Sequence, residues 1–540
     1  MSGHRDAGAG PLAGADPRAA PTELAATAAG TELSARTLAA PIPLASPEAL
    51  AVLLLALSLL AATGRGHVDD LDAQTYRVLV RHLAEDRAWL SPRFLPGYWP
   101  AFREHLPFGF WPATAAARAL GLRAAEALHL CCSLGTIALL IRAGGRAFGG
   151  RAGLAAGLLL ALTESFWRYG GRLLLEPLLR LLATAAALPL LVRPPSRRDW
   201  WLAVSLGALA CAVKGPFGLA PLACAGAGRA LATRSARTFA LASLSTIAAA
   251  LPVVAFLLGD LAFLHLGWWD GYVRHQLLAS ATGARTDGAS FAWWFTPRVV
   301  LGRFWPGLPF VLLALFHTFR SAKRSFASAQ AAGAPATAAA ADSIGATKEA
   351  GEAATAGAAD AAAANEAARA LAFSCALLLF ALCLPARKWG NHTYVLFPLL
   401  ALLAGAGLGP LLDALALRRG PGLLRGALIA LSLLAGVASV AGLGARILQP
   451  PCPLAAGLAG PLRALPPGDV LIAPADFALL IEVADETRRT PWPVDALDAP
   501  LPAGARPIAA GFVRTGAALP PGWVQVAHTG GWTLAAPEPP

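Results

Sequence analysis

The chain has 540 residues, of which 56% are hydrophobic and only 14% are charged, and its formal net charge is +12. An average soluble domain carries about 25% charged residues, so the composition excludes an ordinary soluble fold. The positive charge lies in short clusters at the ends of apolar blocks, whereas a nucleic-acid-binding protein would concentrate it on one soluble face. We therefore predict a membrane protein that binds no nucleic acid.

The chain opens with residues 1–44, which are rich in Ala, Gly, Pro and Thr. They lack the charged start and apolar core of a cleaved signal peptide, and we predict a disordered cytoplasmic tail. Residues 45–445 then carry repeated apolar blocks that approach the ~20 residues needed to cross the hydrocarbon of a membrane. These blocks predict about eleven transmembrane helices, near residues 46–63, 122–141, 152–166, 173–192, 200–213, 216–231, 238–259, 298–318, 369–386, 393–416 and 423–445.

Basic residues indicate the orientation of these helices. Arg and Lys concentrate in alternate loops, around Arg142, Arg197, Arg234, Arg320 and Arg418. By the positive-inside rule these loops are cytoplasmic. The N-terminus then lies in the cytoplasm and the C-terminus lies outside. Besides two tight turns, the outer loops are a long first loop at residues 64–121, a second loop at 260–297 and a short third loop at 385–392.

Two segments differ from the transmembrane blocks. Residues 325–368 consist mostly of Ala, Gly, Ser and Thr, which predicts a cytoplasmic Ala-rich linker. Residues 447–540 contain more Pro and short β-rich runs at 469–472, 507–513 and 523–527, which predict a small extracytoplasmic α/β domain. The predicted fold class is an all-α polytopic membrane protein with a small C-terminal α/β domain.

The first outer loop begins with three carboxylates close to a predicted membrane helix: Asp69, Asp70 and Asp72. Such a cluster can supply a general base or hold a cation. Aspartates at the start of a helix also stabilise the helix dipole and need no further role. The spacing alone leaves both interpretations open.

The run from Asp72 through Tyr76 to Trp89 and Pro92 resembles the first outer loop of the bacterial aminoarabinose lipid A transferases, which are related to the protein O-mannosyltransferases. The resemblance extends from about residue 45 to residue 410. It implies the GT-C fold and a membrane glycosyltransferase of the bacterial inner membrane, which transfers a hexose or pentose from a polyprenyl-phosphate donor. Asp72 takes the position of the family's catalytic Asp. Ala73 replaces its second acid, a role for which Asp69 and Asp70 are candidates.

Two later motifs resemble the metal-binding positions of the family. Glu104-His105-Leu106-Pro107 is similar to the family's Glu-Lys-Pro-Pro stretch, with His105 in place of Lys. The run from Tyr272 to His275 resembles the segment that carries its metal-binding His. The resemblance implies Glu104 and His275 as ligands of a divalent metal.

The remaining motifs supply a second acid and the cations. Glu176, in Leu175-Glu176-Pro177, stands where the family has a functional Asp, and Val213-Lys214-Gly215 is similar to its Lys-Gly motif. Lys388 and Tyr394 resemble the family's Lys-x-x-x-Tyr, with two extra residues. We expect Lys214, Lys388 and Arg274 to bind the donor phosphate, because charges near membrane depth are costly and usually functional.

Neither the sugar nor the acceptor follows from these motifs, because a lipid, a protein hydroxyl or a glycan fits the same loop. A transporter is the alternative from another class, although transporters are commonly built from repeated halves, which this sequence lacks. A third interpretation is a catalytically inactive scaffold of the same fold, which the missing acid at Ala73 favours.

Overall fold

The computed structural model describes most of the chain between residues 42 and 538. The described residues are 42–64, 71–95, 101–284, 292–332, 347–386, 388, 390–420, 422, 423, 425–427, 429, 430, 453–473, 477–487, 489–500, 505–529 and 531–538. Asp69, Asp70, nearly all of the predicted N-terminal tail and most of the last predicted span lie outside the described residues.

The first half of the chain forms helices separated by short turns and one long loop. They are α1 (Pro47–Gly64), α2 (Leu71–Asp86), α3 (Trp111–Leu120), α4 (Leu122–Phe148), α5 (Gly150–Ala161), α6 (Glu164–Tyr169), α7 (Leu175–Leu191), α8 (Arg197–Lys214), α9 (Pro216–Thr233) and α10 (Ala236–Gly259). A 3₁₀ turn at Pro107–Gly109 precedes α3, and π-helical segments follow α10 at Asp260–Leu264 and Trp269–Leu278.

The second half continues with helices and ends in a small sheet. The helices are α11 (Ala279–Thr282), α12 (Phe295–Arg303), α13 (Leu308–Ala332), α14 (Thr347–Cys383), α15 (Phe397–Arg419), α16 (Pro453–Ala464) and α17 (Phe477–Thr487). A 3₁₀ segment at Gly390–Val395 leads into α15. The strands are β1 (Asp469–Ile472), β2 (Pro491–Pro493), β3 (Ile508–Arg514), β4 (Trp523–Thr529) and β5 (Trp532–Pro537).

Several helices have the length and composition of membrane spans. Among the described residues, four single helices qualify, at Leu122–Phe148, Ala236–Leu264, Ala359–Cys383 and Phe397–Arg419. Helices α12 and α13 qualify together as a fifth but bent pair. The chain is thus a polytopic membrane protein, as the composition predicts. Six of the first seven predicted spans coincide closely with one helix each, namely α1, α4, α7, α8, α9 and α10, whereas the span predicted at 152–166 is divided between α5 and α6. The full number of spans stays a prediction.

Small residues bring these helices close together. Gly405 and Gly409 of α15 lie against Ala152 and Ala156 of α5, and a Cβ at either glycine would overlap α5 atoms. Gly153 of α5 lies equally close to the backbone of α4. Lipid gives no hydrophobic drive for helices to associate, so close packing of this kind supplies much of the stability.

Two predicted segments differ from the structure. The span expected at 298–318 is broken by the Trp305-Pro306 region, where α12 and α13 meet at an angle of 104°, because proline cannot continue the hydrogen-bond ladder. The predicted linker at 325–368 is partly helical, since α14 begins at Thr347. Alanine has the highest helix propensity of all residues, so an Ala-rich composition favours helix.

The C-terminal region forms a five-stranded mixed sheet in the order β2-β1-β3-β5-β4. Strand β1 is parallel to β2 and β3, and β5 is antiparallel to β3 and β4. All three β-rich runs of the sequence are strands. Buried Asp469 begins β1, and its carboxylate accepts hydrogen bonds from the Trp492 indole and the Arg506 amide, both at 2.8 Å.

Candidate functional site

A buried ion pair in the helical region joins two residues that were predicted for separate roles, Lys214 and Glu176. The Lys214 Nζ atom lies 2.5 Å from the Glu176 Oε1 atom. Their side chains are only 8% and 4% exposed, respectively. Glu176 stands in the first turn of α7 and Lys214 in the last turn of α8. The negative charge of Glu176 therefore lies at a helix start and the positive charge of Lys214 at a helix end. These are the positions at which each charge interacts favourably with the helix dipole.

Further buried polar groups surround this pair. Arg180, one turn after Glu176 in α7, is 1% exposed, and its guanidinium lies 4.5 Å from the centre of the Phe166 ring. Tyr394 is buried, and the 3₁₀ segment that carries it packs against α7, the helix of Glu176. The centre of the Tyr394 ring lies 5.3 Å from that of Tyr169. The structure thus brings the segment of the predicted Tyr394 against the helix of the predicted Glu176.

Lys388 lies on the loop that leads to Tyr394. It is 4% exposed, and its Nζ atom donates to the Pro385 carbonyl at 2.8 Å. Four residues later, the centre of the His392 ring lies 4.1 Å from that of Phe217, at an interplanar angle of 35°. Phe217 stands in the first turn of α9, three residues after Lys214. These contacts connect the loop that carries Lys388 to the segment that carries Lys214.

Gly215 ends α8 beside Lys214 and has a φ of +56°, a region that residues with a Cβ rarely adopt. A Cβ there would overlap the hydroxyl of Tyr272, which is buried. Within the described part of the chain this hydroxyl has no hydrogen-bond partner. Gly215 thus lets the second outer loop approach the end of α8.

Asp72 lies on a different element. It is exposed in the first turn of α2, which fits a helix-start role as well as a catalytic one. One turn later Tyr76 is buried, and its ring contacts those of Phe102, His105 and Phe110 at centroid distances of 6.4, 5.8 and 5.2 Å. His105 therefore belongs to the aromatic core of the loop.

The first outer loop packs directly on the ion-paired segments. A Cβ at Gly109 would lie 2.9 Å from the Val213 carbonyl oxygen and 3.0 Å from a Leu175 methyl carbon. Val213 precedes Lys214, and Leu175 precedes Glu176. The Tyr76–Phe110 contact thus connects the helix of Asp72 to the neighbourhood of the Lys214–Glu176 pair.

Arg103, which the sequence analysis did not select, joins the two longer outer loops. Its guanidinium donates to the carbonyls of Phe102 at 2.9 Å and Leu266 at 3.0 Å, and it lies 4.6 Å from the centre of the Trp268 ring. The carboxylate of buried Asp260 accepts from the Leu266 and Trp268 amides, both at 2.8 Å. Burial lowers the pKa of the Arg103 guanidinium, and the charge of Asp260 opposes that shift. Trp268 is fully buried.

The predicted metal and phosphate residues of the second outer loop lie at its surface. Arg274 pairs with Asp270 at 2.9 Å, and both side chains are about two-thirds exposed, at 66% and 64%. His275 is exposed and Glu104 half-buried. Within the described ranges, no three His, Cys, Asp or Glu side chains are grouped to hold a metal. Glu104 and His275 supply two donors, fewer than the three protein ligands usual in a catalytic zinc site, so a metal stays a prediction.

These features define a polytopic membrane protein in which loops between helices pack on a buried ion pair at two helix ends. No protein-family model and no curated protein sequence matches the chain. Among solved structures, ArnT from Cupriavidus metallidurans bound to undecaprenyl phosphate has a TM-score of 0.61 and 16% identity, over 90% of this chain and 96% of that one.

The same protein in the apo state gives a TM-score of 0.58 and 16% identity, over 95% of this chain and 98% of that one. The archaeal oligosaccharyltransferase AglB from Archaeoglobus fulgidus superposes more weakly, with a TM-score of 0.48, 13% identity and coverage of 82% of this chain and 64% of that one. This chain therefore has the fold of ArnT over nearly its whole length, as the motif resemblance implies.

Proposed function

We propose that this protein is a membrane glycosyltransferase that moves a hexose or pentose from a polyprenyl-phosphate donor to a lipid, protein or glycan acceptor. The observation that carries the proposal is the fold shared over nine-tenths of the chain with ArnT, a protein crystallised with undecaprenyl phosphate. The motif residues support it, because exposed Asp72 and the buried Lys214–Glu176 pair lie on elements that pack together through Tyr76, Phe110 and Gly109.

In the proposed reaction the acceptor oxygen attacks the anomeric carbon of the sugar. The bond from that carbon to the phosphate oxygen breaks, and the polyprenyl phosphate leaves with its electron pair. Asp72 orients the acceptor or takes its proton, as a general base must do within hydrogen-bond reach. Lys214 and Lys388 neutralise the departing phosphate. Glu176 positions Lys214.

We propose the bacterial inner membrane as the location, with the N-terminus in the cytoplasm and the outer loops and C-terminal domain outside. The Arg clusters support this orientation. A membrane-impermeant maleimide on a cysteine-free background tests it. An Arg87→Cys variant should label from outside in intact cells, and an Arg197→Cys variant should label only after lysis. Labelling of Arg197→Cys in intact cells would reverse the arrangement.

Mass spectrometry of envelope lipids, glycans and glycoproteins, from cells with and without the chain, tests the activity. We expect one sugar-modified product to disappear with the chain and to return with the wild type. Asp72→Asn should reduce that product about 100-fold or more, the loss of a general base, while leaving the binding of undecaprenyl phosphate intact.

Asp69→Asn and Asp70→Asn serve as matched controls, and at least one of them should be milder than Asp72→Asn. An envelope that does not change when the chain is removed would contradict the transferase. Full product with Asp72→Asn, together with loss in Asp69→Asn or Asp70→Asn, would move the catalytic role to one of those positions.

A further inference from the structure

The helix that carries Asp72 is held from three directions. Arg77 of α2 forms an ion pair with Glu126 of the membrane helix α4. The His82 Nδ1 atom lies 3.2 Å from the carbonyl of Arg93 in the first outer loop. Arg81 donates from Nη2 to the Ala484 carbonyl of α17 at 2.7 Å, across 403 residues of sequence. Only the last of these contacts reaches into the C-terminal region.

The contact between α2 and α17 is also apolar. The two helices pack against each other, and their buried side chains belong to one continuous apolar cluster that includes Val80, Leu83, Leu480 and Val483. The same cluster contains β-strand residues such as Val470 and Phe512. The core of the C-terminal sheet thus continues into the face of α2 without a break.

A contact at one end of a continuous helix also restricts the motion of its other end. Asp72 and Arg81 are separated by about 14 Å along a continuous helix, and α2 runs unbroken from Leu71 to Asp86. Fixing the Arg81 end therefore restricts tilting and rotation at the Asp72 end. Reacting groups need placement to within about 1 Å, since a displacement of that size can cost about 100-fold in rate.

We propose that the C-terminal domain is a positioning element of the transferase, in which α17 holds α2 through Arg81 and the shared apolar face and so sets the position of Asp72. Arg81 is a positioning residue and does not touch substrate. The catalytic part of this inference rests on the proposed function. The restriction of α2 by α17 can be measured without any activity.

The experiment uses the full-length protein in lipid nanodiscs and compares Arg81→Met with Arg81→Lys. Methionine keeps the apolar stem and removes the donors, and lysine keeps a cationic donor. Arg87→Met is the matched control, because Arg87 lies one residue beyond α2 and is exposed. Three quantities are measured: amide hydrogen exchange in residues 71–86, the Kd for undecaprenyl phosphate, and the amount of modified envelope product in cells.

We expect Arg81→Met to accelerate exchange in α2 about 10- to 150-fold, the effect of losing one charge-assisted hydrogen bond. The product should fall about tenfold, while the Kd for undecaprenyl phosphate stays at the wild-type value. Arg81→Lys should lie between Arg81→Met and the wild type, and Arg87→Met should match the wild type. If Arg81→Met does not fold, Arg81→Lys carries the same comparison.

Wild-type exchange in both Arg81 variants would overturn the holding of α2 by α17. Faster exchange with an unchanged amount of product would overturn the positioning role. If the wild type itself yields no product, the proposed function fails, and the exchange measurement still decides whether α17 holds α2.

Discussion

Separating the structural from the chemical role of the Lys214–Glu176 pair is the most direct test of the site. The two side chains are 8% and 4% exposed and lie 2.5 Å apart, so each charge is desolvated and depends on the other. Removing one partner of such a pair leaves an uncompensated buried charge and costs about 3–5 kcal/mol. Replacing both partners by well-packed hydrophobic side chains of similar volume is often nearly neutral.

We therefore expect Lys214→Met to reduce the free energy of unfolding by about 3–5 kcal/mol. Glu176→Gln should cost somewhat less, because the amide oxygen still accepts a hydrogen bond from Lys214. The double variant Glu176→Gln/Lys214→Met should recover part of that loss, because no uncompensated buried charge remains and the buried amide that lacks its partner costs only about 1–3 kcal/mol. The measurement is reversible denaturation in mixed micelles, analysed as a double-mutant cycle.

Activity then distinguishes the two roles. If Glu176 and Lys214 act in transfer, the double variant is stable but yields no modified product. If they only stabilise the helix ends, it recovers both stability and product. The exposed pair Arg168–Glu164, 3.2 Å apart with side chains 50% and 41% exposed, is the matched control, and Glu164→Gln should cost under about 1 kcal/mol. An equally small cost for Lys214→Met would refute the desolvation argument.

Most of the helical architecture follows from hydropathy, because blocks of apolar residues bounded by Arg clusters are enough to locate α1, α4 and α7–α10. The bend between α12 and α13 does not follow so easily, since it depends on a proline whose effect we did not weigh. Strand β2 was missed for a similar reason. It is a three-residue edge strand with proline at both ends, and proline lowers any strand signal.

The residues of the candidate site could be predicted from the sequence, whereas the contacts between them could not. Lys214 and Glu176 were selected for separate roles, and their ion pair depends on how α7 packs against α8, which no local pattern records. Arg180 carried a usable signal, a lone charge inside an apolar run. Arg103 carried none, because its role arises only where two outer loops, separated by more than 150 residues of sequence, meet around Trp268.

Two further predictions concern the packing that supports the site. Gly215→Ala should destabilise the protein by about 1–3 kcal/mol or more through overpacking, which thermal unfolding measures. The double variant Gly215→Ala/Tyr272→Phe should recover part of that stability, because it removes the hydroxyl that the new Cβ overlaps. Arg103→Lys should weaken the contact between the outer loops. The planar guanidinium of Arg103 contacts the Phe102 carbonyl, the Leu266 carbonyl and the Trp268 ring at the same time. The ammonium group of a lysine cannot reproduce this planar set of donors. Charge-assisted hydrogen bonds contribute about 1.5–3 kcal/mol each, so limited proteolysis should cut both outer loops faster in Arg103→Lys while thermal unfolding of the helical region changes little. The control is Arg298→Lys, because Arg298 is exposed and its guanidinium lies 5.5 Å from the Trp294 ring centre. This variant should be digested like the wild type. Equal cutting of the loops in Arg103→Lys and the wild type would show that Arg103 does not hold the two loops together.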